Sequence, residues 1–192
     1  MSVVIIDYGA GNIQSIRFAL ERLGATATLS HDAEAIQQAT HVIFPGVGEA
    51  SSAMEKLRAT GLDKLIPTLK QPVLGICLGM QLMCNHSEEG NTTGLGIFDT
   101  DVVRFSTELN VPHMGWNTVE GSGVLFEGIP ENSHFYLVHS FYAQPNGNTV
   151  GRCEYSVPFA AAFAKDNFYG TQFHPEKSGG VGAQLLQNFL AL

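Results

Sequence analysis

The stretch Pro72-Val73-Leu74-Gly75-Ile76-Cys77-Leu78-Gly79-Met80-Gln81 constrains the fold more than any other part of the chain. A short apolar run with β-branched residues reads as a buried strand. It ends on Gly-x-Cys-x-Gly and leads at once into further apolar residues, so the strand must turn directly into a helix. Such a turn forces its central residue into a tight, strained backbone that small neighbours make sterically possible, and it holds the Cys77 side chain out at the strand's carboxyl end. The helix start aims free N–H groups and its positive dipole end at the same point, which favours a thiolate and supplies donors for an oxyanion. A lone cysteine is more often a small buried hydrophobe. A nucleophile needs a catalytic partner.

That partner is found in Gly170-Thr171-Gln172-Phe173-His174-Pro175-Glu176-Lys177-Ser178, where an imidazole and a carboxylate lie two residues apart after a strand-like run. A thiol near neutral pH needs a histidine to take its proton, and the histidine needs an acceptor to fix its tautomer. His174 and Glu176 suit those two roles, with Pro175 stiffening the link. Taken singly, each reads as an ordinary loop residue; together with Cys77 they make a candidate catalytic triad.

The rest of the chain supplies an α/β frame. Val3 to Ile6 reads as a central strand ending at Asp7 and a glycine-rich turn. A helix follows, capped by Asn12, with Ile13, Ile16, Leu20 and Leu23 on one face and Gly24 as its stop. Ala25 to Ser30 is a second strand, Ala33 to Gln38 a short helix, His41 to Phe44 a third strand, and Ala50 to Ala59 a helix closed by Gly61. Pro72 to Ile76 is the fourth strand. This alternation predicts a parallel sheet with right-handed crossovers and a site at the carboxyl ends of its strands. After Asn85, short segments around Val102-Val103, Val111, Phe135 to Val138, Val150 and Phe159 to Ala164 predict antiparallel additions. A final amphipathic helix, roughly 181–190, presents Leu185, Leu186, Phe189 and Leu190 to the core.

With 192 residues, one domain over 1–192 is the expectation. A net charge of −8 with ten dispersed Lys and Arg argues against nucleic-acid binding. No positive leader and no membrane-length apolar run is seen, which predicts a cytoplasmic protein that does not engage a membrane. Cys77, Cys84 and Cys153 have neither disulfide-framework nor zinc spacing, so reduced thiols are expected. Cys84, seven residues after Cys77, reads as packing two helical turns along the elbow helix, and Cys153 as strand filler. His31, His41, His86, His113, His134 and His139 show no metal-ligand spacing, so no metal and no cofactor are expected. Gly9-x-Gly11 after a strand hints at a dinucleotide site, but Gln14 stands where the third glycine belongs. A cysteine peptidase on the same sheet is the other thiol-enzyme reading.

Gly-Ile-Cys-Leu-Gly-Met-Gln at 75–81 with Gln-Phe-His-Pro-Glu-Lys-Ser at 172–178 resembles the class I, triad-type glutamine amidotransferases, over essentially the whole chain. Asp7-Tyr8-Gly9-Ala10-Gly11-Asn12, Pro45-Gly46-Val47-Gly48 and Pro112-His113-Met114-Gly115-Trp116-Asn117 resemble one branch, the glutaminase subunits of imidazole glycerol phosphate synthases in histidine biosynthesis. The resemblance implies a flavodoxin-like three-layer α/β domain, with a mostly parallel central sheet plus added antiparallel strands. It implies hydrolysis of L-glutamine to glutamate and ammonia through a Cys77 thioester, with Cys77, His174 and Glu176 as the triad. It also implies an oxyanion hole from the backbone of Val47, Gly48 and Leu78. Matched positions give substrate contacts at Gly48, Gln81, Glu89, Ser140 and Phe141, with Glu88 as the competing carboxylate for the ammonium group and Phe141 where the family often has tyrosine. The implied partner is a (β/α)₈-barrel cyclase subunit in a heterodimer, which would receive the ammonia. Tyr8, Asn12, His113, Met114, Trp116 and Asn117 are expected to face it. Trp116, the only tryptophan, is the expected anchor; core packing is its alternative role.

Overall fold

The computed structural model describes residues 1–9, 11–106, 108 and 110–192; Ala10 of the Asp7–Asn12 motif lies outside the described residues. The first half alternates strand and helix: β1 (Val3–Ile6), α1 (Ile13–Arg22), β2 (Ala27–Ser30), α2 (Ala33–Gln38), β3 (His41–Phe44), α3 (Ala50–Thr60), α4 (Leu62–Leu65), β4 (Val73–Ile76) and α5 (Leu78–Leu82). The second half is strand-rich: β5 (Cys84–Ser87), β6 (Thr92–Thr93), β7 (Phe98–Arg104), β8 (His113–Gly121), β9 (Ser133–His139), β10 (Phe141–Ala143), β11 (Thr149–Tyr155), β12 (Val157–Lys165) and β13 (Phe168–Thr171). The helix α6 (Gly179–Leu190) closes the chain.

Strands β2-β1-β3-β4-β13 run parallel in that order, with β12, β10 and β7 continuing the sheet antiparallel and β5 and β6 at its far edge. A branch leaves β12 through β11 to β8 and β9. The order 2-1-3-4 followed by a last parallel strand is that of a flavodoxin-like doubly wound sheet, whose ligands bind beyond the carboxyl ends of the strands. Adjacent residues of β1 explain why helices cover both faces. Val3 and Ile5 pack into one layer with Ile16 and Leu20 of α1 and Leu185, Leu186 and Phe189 of α6. Val4 and Ile6 pack into the other with Ile36 of α2, Met54 and Leu57 of α3 and Leu78 and Met80 of α5. A period of two thus divides one apolar run between two cores. Each fully buried Ile, Leu or Phe contributes about 1.5–3 kcal/mol.

Three local expectations change. Cys84 is buried on strand β5 rather than on a helix: the Met83 carbonyl accepts the N–H groups of Ile97 and Phe98 at 2.8 and 2.9 Å, so a strand ladder captures the chain after five helical residues. Asn12 occupies the N-cap position of α1, but its carboxamide accepts from the Ser15 hydroxyl at 3.1 Å and caps no backbone N–H. Val111 precedes β8 instead of lying in a strand. Cys153 is buried in β11 as expected.

Candidate active site

Strands β4 and β13 are parallel neighbours in register, Gly75 opposite Gly170 and Ile76 opposite Thr171. The Cys77 N–H extends the ladder by donating to the Thr171 carbonyl at 2.7 Å. The elbow after β4 and the loop after β13 therefore open at the same edge, and Cys77 and His174 line one cavity of about 290 Å³. That volume is at the small end of ligand pockets and suits a single amino acid.

Cys77 has φ 54° and ψ −111°, a left-handed conformation that costs a side-chain-bearing residue about 1–3 kcal/mol. The surrounding packing holds it there. A Cβ on Gly79 would overlap the Phe44 carbonyl, and one on Gly75 would strike the Met83 sulfur and the Met80 amide, so the frame of Gly-x-Cys-x-Gly answers close approach on both sides. Beyond the nucleophile, Leu78 is the first residue of α5, where an N–H has no intrahelical acceptor. Two of its neighbours in the cavity wall are Val47 and Gly48, from the loop after β3. Tyr8 holds that loop: its buried hydroxyl donates to the Pro45 carbonyl at 2.8 Å.

His174 Nδ1 lies 2.8 Å from Glu176 Oε1, both side chains buried, while Nε2 makes no hydrogen bond. Burial opposes a charge on this ring, but the Cys77 sulfur and the Glu176 carboxylate outweigh it and push the His174 pKa up to about 10. The arrangement favours a protonated ring. Its backbone is clamped as well. The His174 N–H donates to the Tyr136 carbonyl at 2.9 Å, and the Ser178 hydroxyl donates to the His174 carbonyl at 2.6 Å while accepting the Tyr136 N–H at 3.0 Å.

Gln81, Glu89, Ser140 and Phe141 also line the cavity. Of the two adjacent carboxylates, Glu89 faces it and accepts the Ala50 N–H at 2.9 Å, whereas Glu88 is occupied by the Arg104 N–H at 2.7 Å. Burial raises the pKa of Glu89, against that hydrogen bond and with help from nearby Glu49, so a cation beside it would relieve an unfavourable charge. The Phe141 carbonyl accepts both Gln81 Nε2 at 2.9 Å and His139 Nδ1 at 2.8 Å. His139 passes the chain on: its Nε2 accepts from His113 Nδ1 at 3.0 Å, and His113 Nε2 faces the Asn117 amide at 3.3 Å. Burial lowers the pKa of His139 to about 3, against the Phe141 carbonyl and with His113 and His174 nearby, so it stays neutral.

On the strand β8 motif the alternation of side chains separates the expected interface residues. Met114 and Trp116 are 67% and 57% exposed, and the rings of Trp116 and Tyr136 meet edge-on with centroids 6.0 Å apart. His113 points inward, is 5% exposed and stacks on Tyr155 at 4.0 Å between ring centres. Tyr8 is equally buried. Neither presents its side chain to solvent: period-two alternation buries the first, and the bond to Pro45 holds the second inside. Asn12 and Asn117 are half-buried, and Asn117 donates to the Glu154 carbonyl at 2.9 Å. Sequence reasoning missed Ser178, Gln172 and the inner role of His139. Ser178 and Gln172 stand in the His-Pro-Glu segment, but Ser178 also accepts from Tyr136 and the Gln172 amide meets Gln81 and Cys77, all distant in sequence. Among the described residues no group of His, Cys, Asp and Glu could hold a metal ion, and no helix is long and apolar enough to cross a membrane.

Comparison with known proteins agrees with this geometry. The family model "Glutamine amidotransferase class-I" matches residues 4–192. An imidazole glycerol phosphate synthase subunit HisH from Bacteroides thetaiotaomicron is 56% identical, with 100% of both chains covered. The protein of the same name from Yersinia pseudotuberculosis is 47% identical over 100% of both. Among solved structures, a glutamine amidotransferase superposes with a TM-score of 0.76 at 19% identity, covering 98% of this chain and 97% of that one. PurLQS from Thermotoga maritima superposes with a TM-score of 0.72 at 17% identity, covering 99% and 97%. From its strand order, its cysteine elbow and its match along nearly the whole sequence, the chain belongs to the class I glutamine amidotransferases.

Proposed function

We infer that this amidotransferase is the glutaminase subunit of an imidazole glycerol phosphate synthase, one domain over residues 1–192, working in the cytoplasm with a barrel-shaped cyclase subunit. The observation that carries the reading is the meeting of Cys77 and His174 in one amino-acid-sized cavity, with Glu176 behind the imidazole. Full-length relatives bearing that subunit's name support the choice of synthase.

The reaction follows from the groups in the cavity. The Cys77 sulfur attacks the side-chain carboxamide carbon of glutamine, and the electron pair of the C=O moves to oxygen. The N–H of Leu78 and the backbone at Val47-Gly48 bind that oxyanion; losing one such donor typically costs ~2.7–4 kcal/mol. Collapse breaks the C–N bond as His174 gives its proton to the leaving nitrogen, leaving a thioester and ammonia. Water, giving its proton back to His174, attacks the thioester; glutamate leaves and the thiolate returns. Glu176 keeps the ring oriented throughout and fixes its tautomer while it is neutral. Glu89 binds the ammonium group of the substrate, while Gly48, Gln81, Ser140 and Phe141 shape its amino-acid end.

Ammonia is protonated in bulk water, so the exposed pair Met114 and Trp116 is read as part of the surface that meets the cyclase and keeps the product out of solvent. Gly48, with φ 99°, gives the oxyanion loop a hinge that the partner would align. The test is a reconstituted cyclase assay. Glutamine-dependent product should vanish in Cys77→Ala while ammonium salts still support synthesis; glutamine-dependent synthesis by Cys77→Ala would refute the reading. Full glutamate release by the isolated subunit would refute alignment of the loop by the partner.

A further inference from the structure

We propose that Gln172 is a thiolate-binding residue of the reaction centre, its side-chain amide presenting an N–H donor to the Cys77 sulfur. The proposal deepens the reading above and rests on Cys77 being the nucleophile. Gln172 is fully buried, and its Nε2 lies 3.7 Å from Cys77 Sγ. Which end of this amide faces the sulfur is decided by its neighbours. The Phe141 carbonyl can only accept, so the Gln81 atom 2.9 Å from it is nitrogen. The second hydrogen of that nitrogen points to Gln172 at 2.8 Å, where an acceptor is required, and Gln172 therefore turns its oxygen to Gln81 and its nitrogen to the sulfur.

A second polar neighbour of the sulfur, the Val138 carbonyl, has the opposite preference. The Val138 carbonyl lies 3.9 Å away and can only accept, so it suits a thiol S–H and repels a thiolate. Gln172 suits the ionised form. Unlike His174, it favours the anion without titrating and without adding a charge to a buried site. Its main chain is fixed by donation to the Ala161 carbonyl at 2.8 Å, and its amide is held by the bond from Gln81. Gln81 acts on the sulfur only through Gln172 and is a positioning residue in this respect. The titratable groups around the sulfur are His174 from the loop after β13, Tyr8 from the loop after β1, and His139 and Glu89 in the cavity wall. All four are retained in the variants below.

The experiment is alkylation of the full chain by iodoacetamide as a function of pH. Cys84 and Cys153 are both buried, which pushes both thiols up, so the measured reaction is that of Cys77. In Gln172→Leu the pH midpoint of alkylation should rise by about one unit, the scale of one lost hydrogen bond to a charged group. Gln172→Glu should raise it further, by placing a carboxylate beside the sulfur. Midpoints equal to wild type in both variants, even with reduced stability, would assign Gln172 to packing and overturn the proposal. In the unsubstituted protein, the ¹⁵N side-chain resonance of Gln172 should titrate with the alkylation midpoint; a resonance that stays still would overturn it too. Neither readout involves glutamine. A shifted midpoint in a chain that makes no glutamate even with its cyclase partner present would sink the proposed function and leave Gln172 where it is.

Discussion

The Cys77 amide donates to the Thr171 carbonyl at 2.7 Å, and this one bond ties together the two strand ends that carry the sulfur and the imidazole. Because β4 and β13 are parallel and adjacent, both chains leave the sheet at the same edge. A slip of one residue would turn every side chain of β13 to the opposite face. The triad is thus a matter of strand register before it is a matter of side-chain chemistry.

The strain at the elbow has a measurable signature. Cys77→Gly should be more stable than Cys77→Ala by about 1 kcal/mol, since only glycine adopts φ 54° without steric cost. This reverses the usual order of the two residues. Urea unfolding of both variants measures it, and neither should release glutamate.

His174 gives the fold a pH dependence. Its folded pKa is raised from 6.5 to about 10, so its stabilisation is complete below pH 6.5 and is lost as pH rises toward 10. Glu176→Gln removes one of the two neighbours responsible and should flatten the decline. Urea midpoints for both proteins across pH 6 to 10 test the sign; a wild-type midpoint that climbs through this range would contradict it.

The two neighbouring glutamates should separate kinetically. Glu89→Gln is expected to raise KM for glutamine about tenfold or more with a smaller change in kcat, as loss of a charged contact made equally in ground and transition states. Glu88→Gln should change neither. Because the Glu89 pKa is raised by burial, the wild-type KM should increase on acidification as this carboxylate takes a proton, and the Glu89→Gln KM should not follow.

Trp116 is 57% exposed, so Trp116→Ala should leave the fold of the free subunit nearly unchanged. Association with the proposed cyclase partner should weaken by at least about 2 kcal/mol, measured by titration calorimetry. Equal affinity would remove Trp116 from the interface.

The first half of the fold was legible because its signals were local. Val3 to Ile6 and His41 to Phe44 are short apolar runs buried on both faces, and Gly61 ends α3 with φ 73° where the pattern demanded a stop. The second half depends on pairing. Cys84 follows helix-forming residues, and the reach of Leu95 to Phe98 back to the carbonyls of Leu82, Met83 and Cys84 makes it a strand. His113 and Met114 stood together in one motif, but the phase of β8 buries one and exposes the other. The triad could be proposed from two segments because each carries its own chemistry. Gln172 could not, since the direction of its amide is set by a carbonyl on β10, through a glutamine 91 positions away in the chain.

The bond between Cys77 and Thr171 also sets an order of events in the cell. The contact that completes the sulfur's surroundings, Gln172 on Cys77, spans 95 positions. On the ribosome the elbow emerges long before β13 has been made, so the growing polypeptide carries a sulfur with no base. The sulfur gains its base only when the strand before His174 docks beside the elbow.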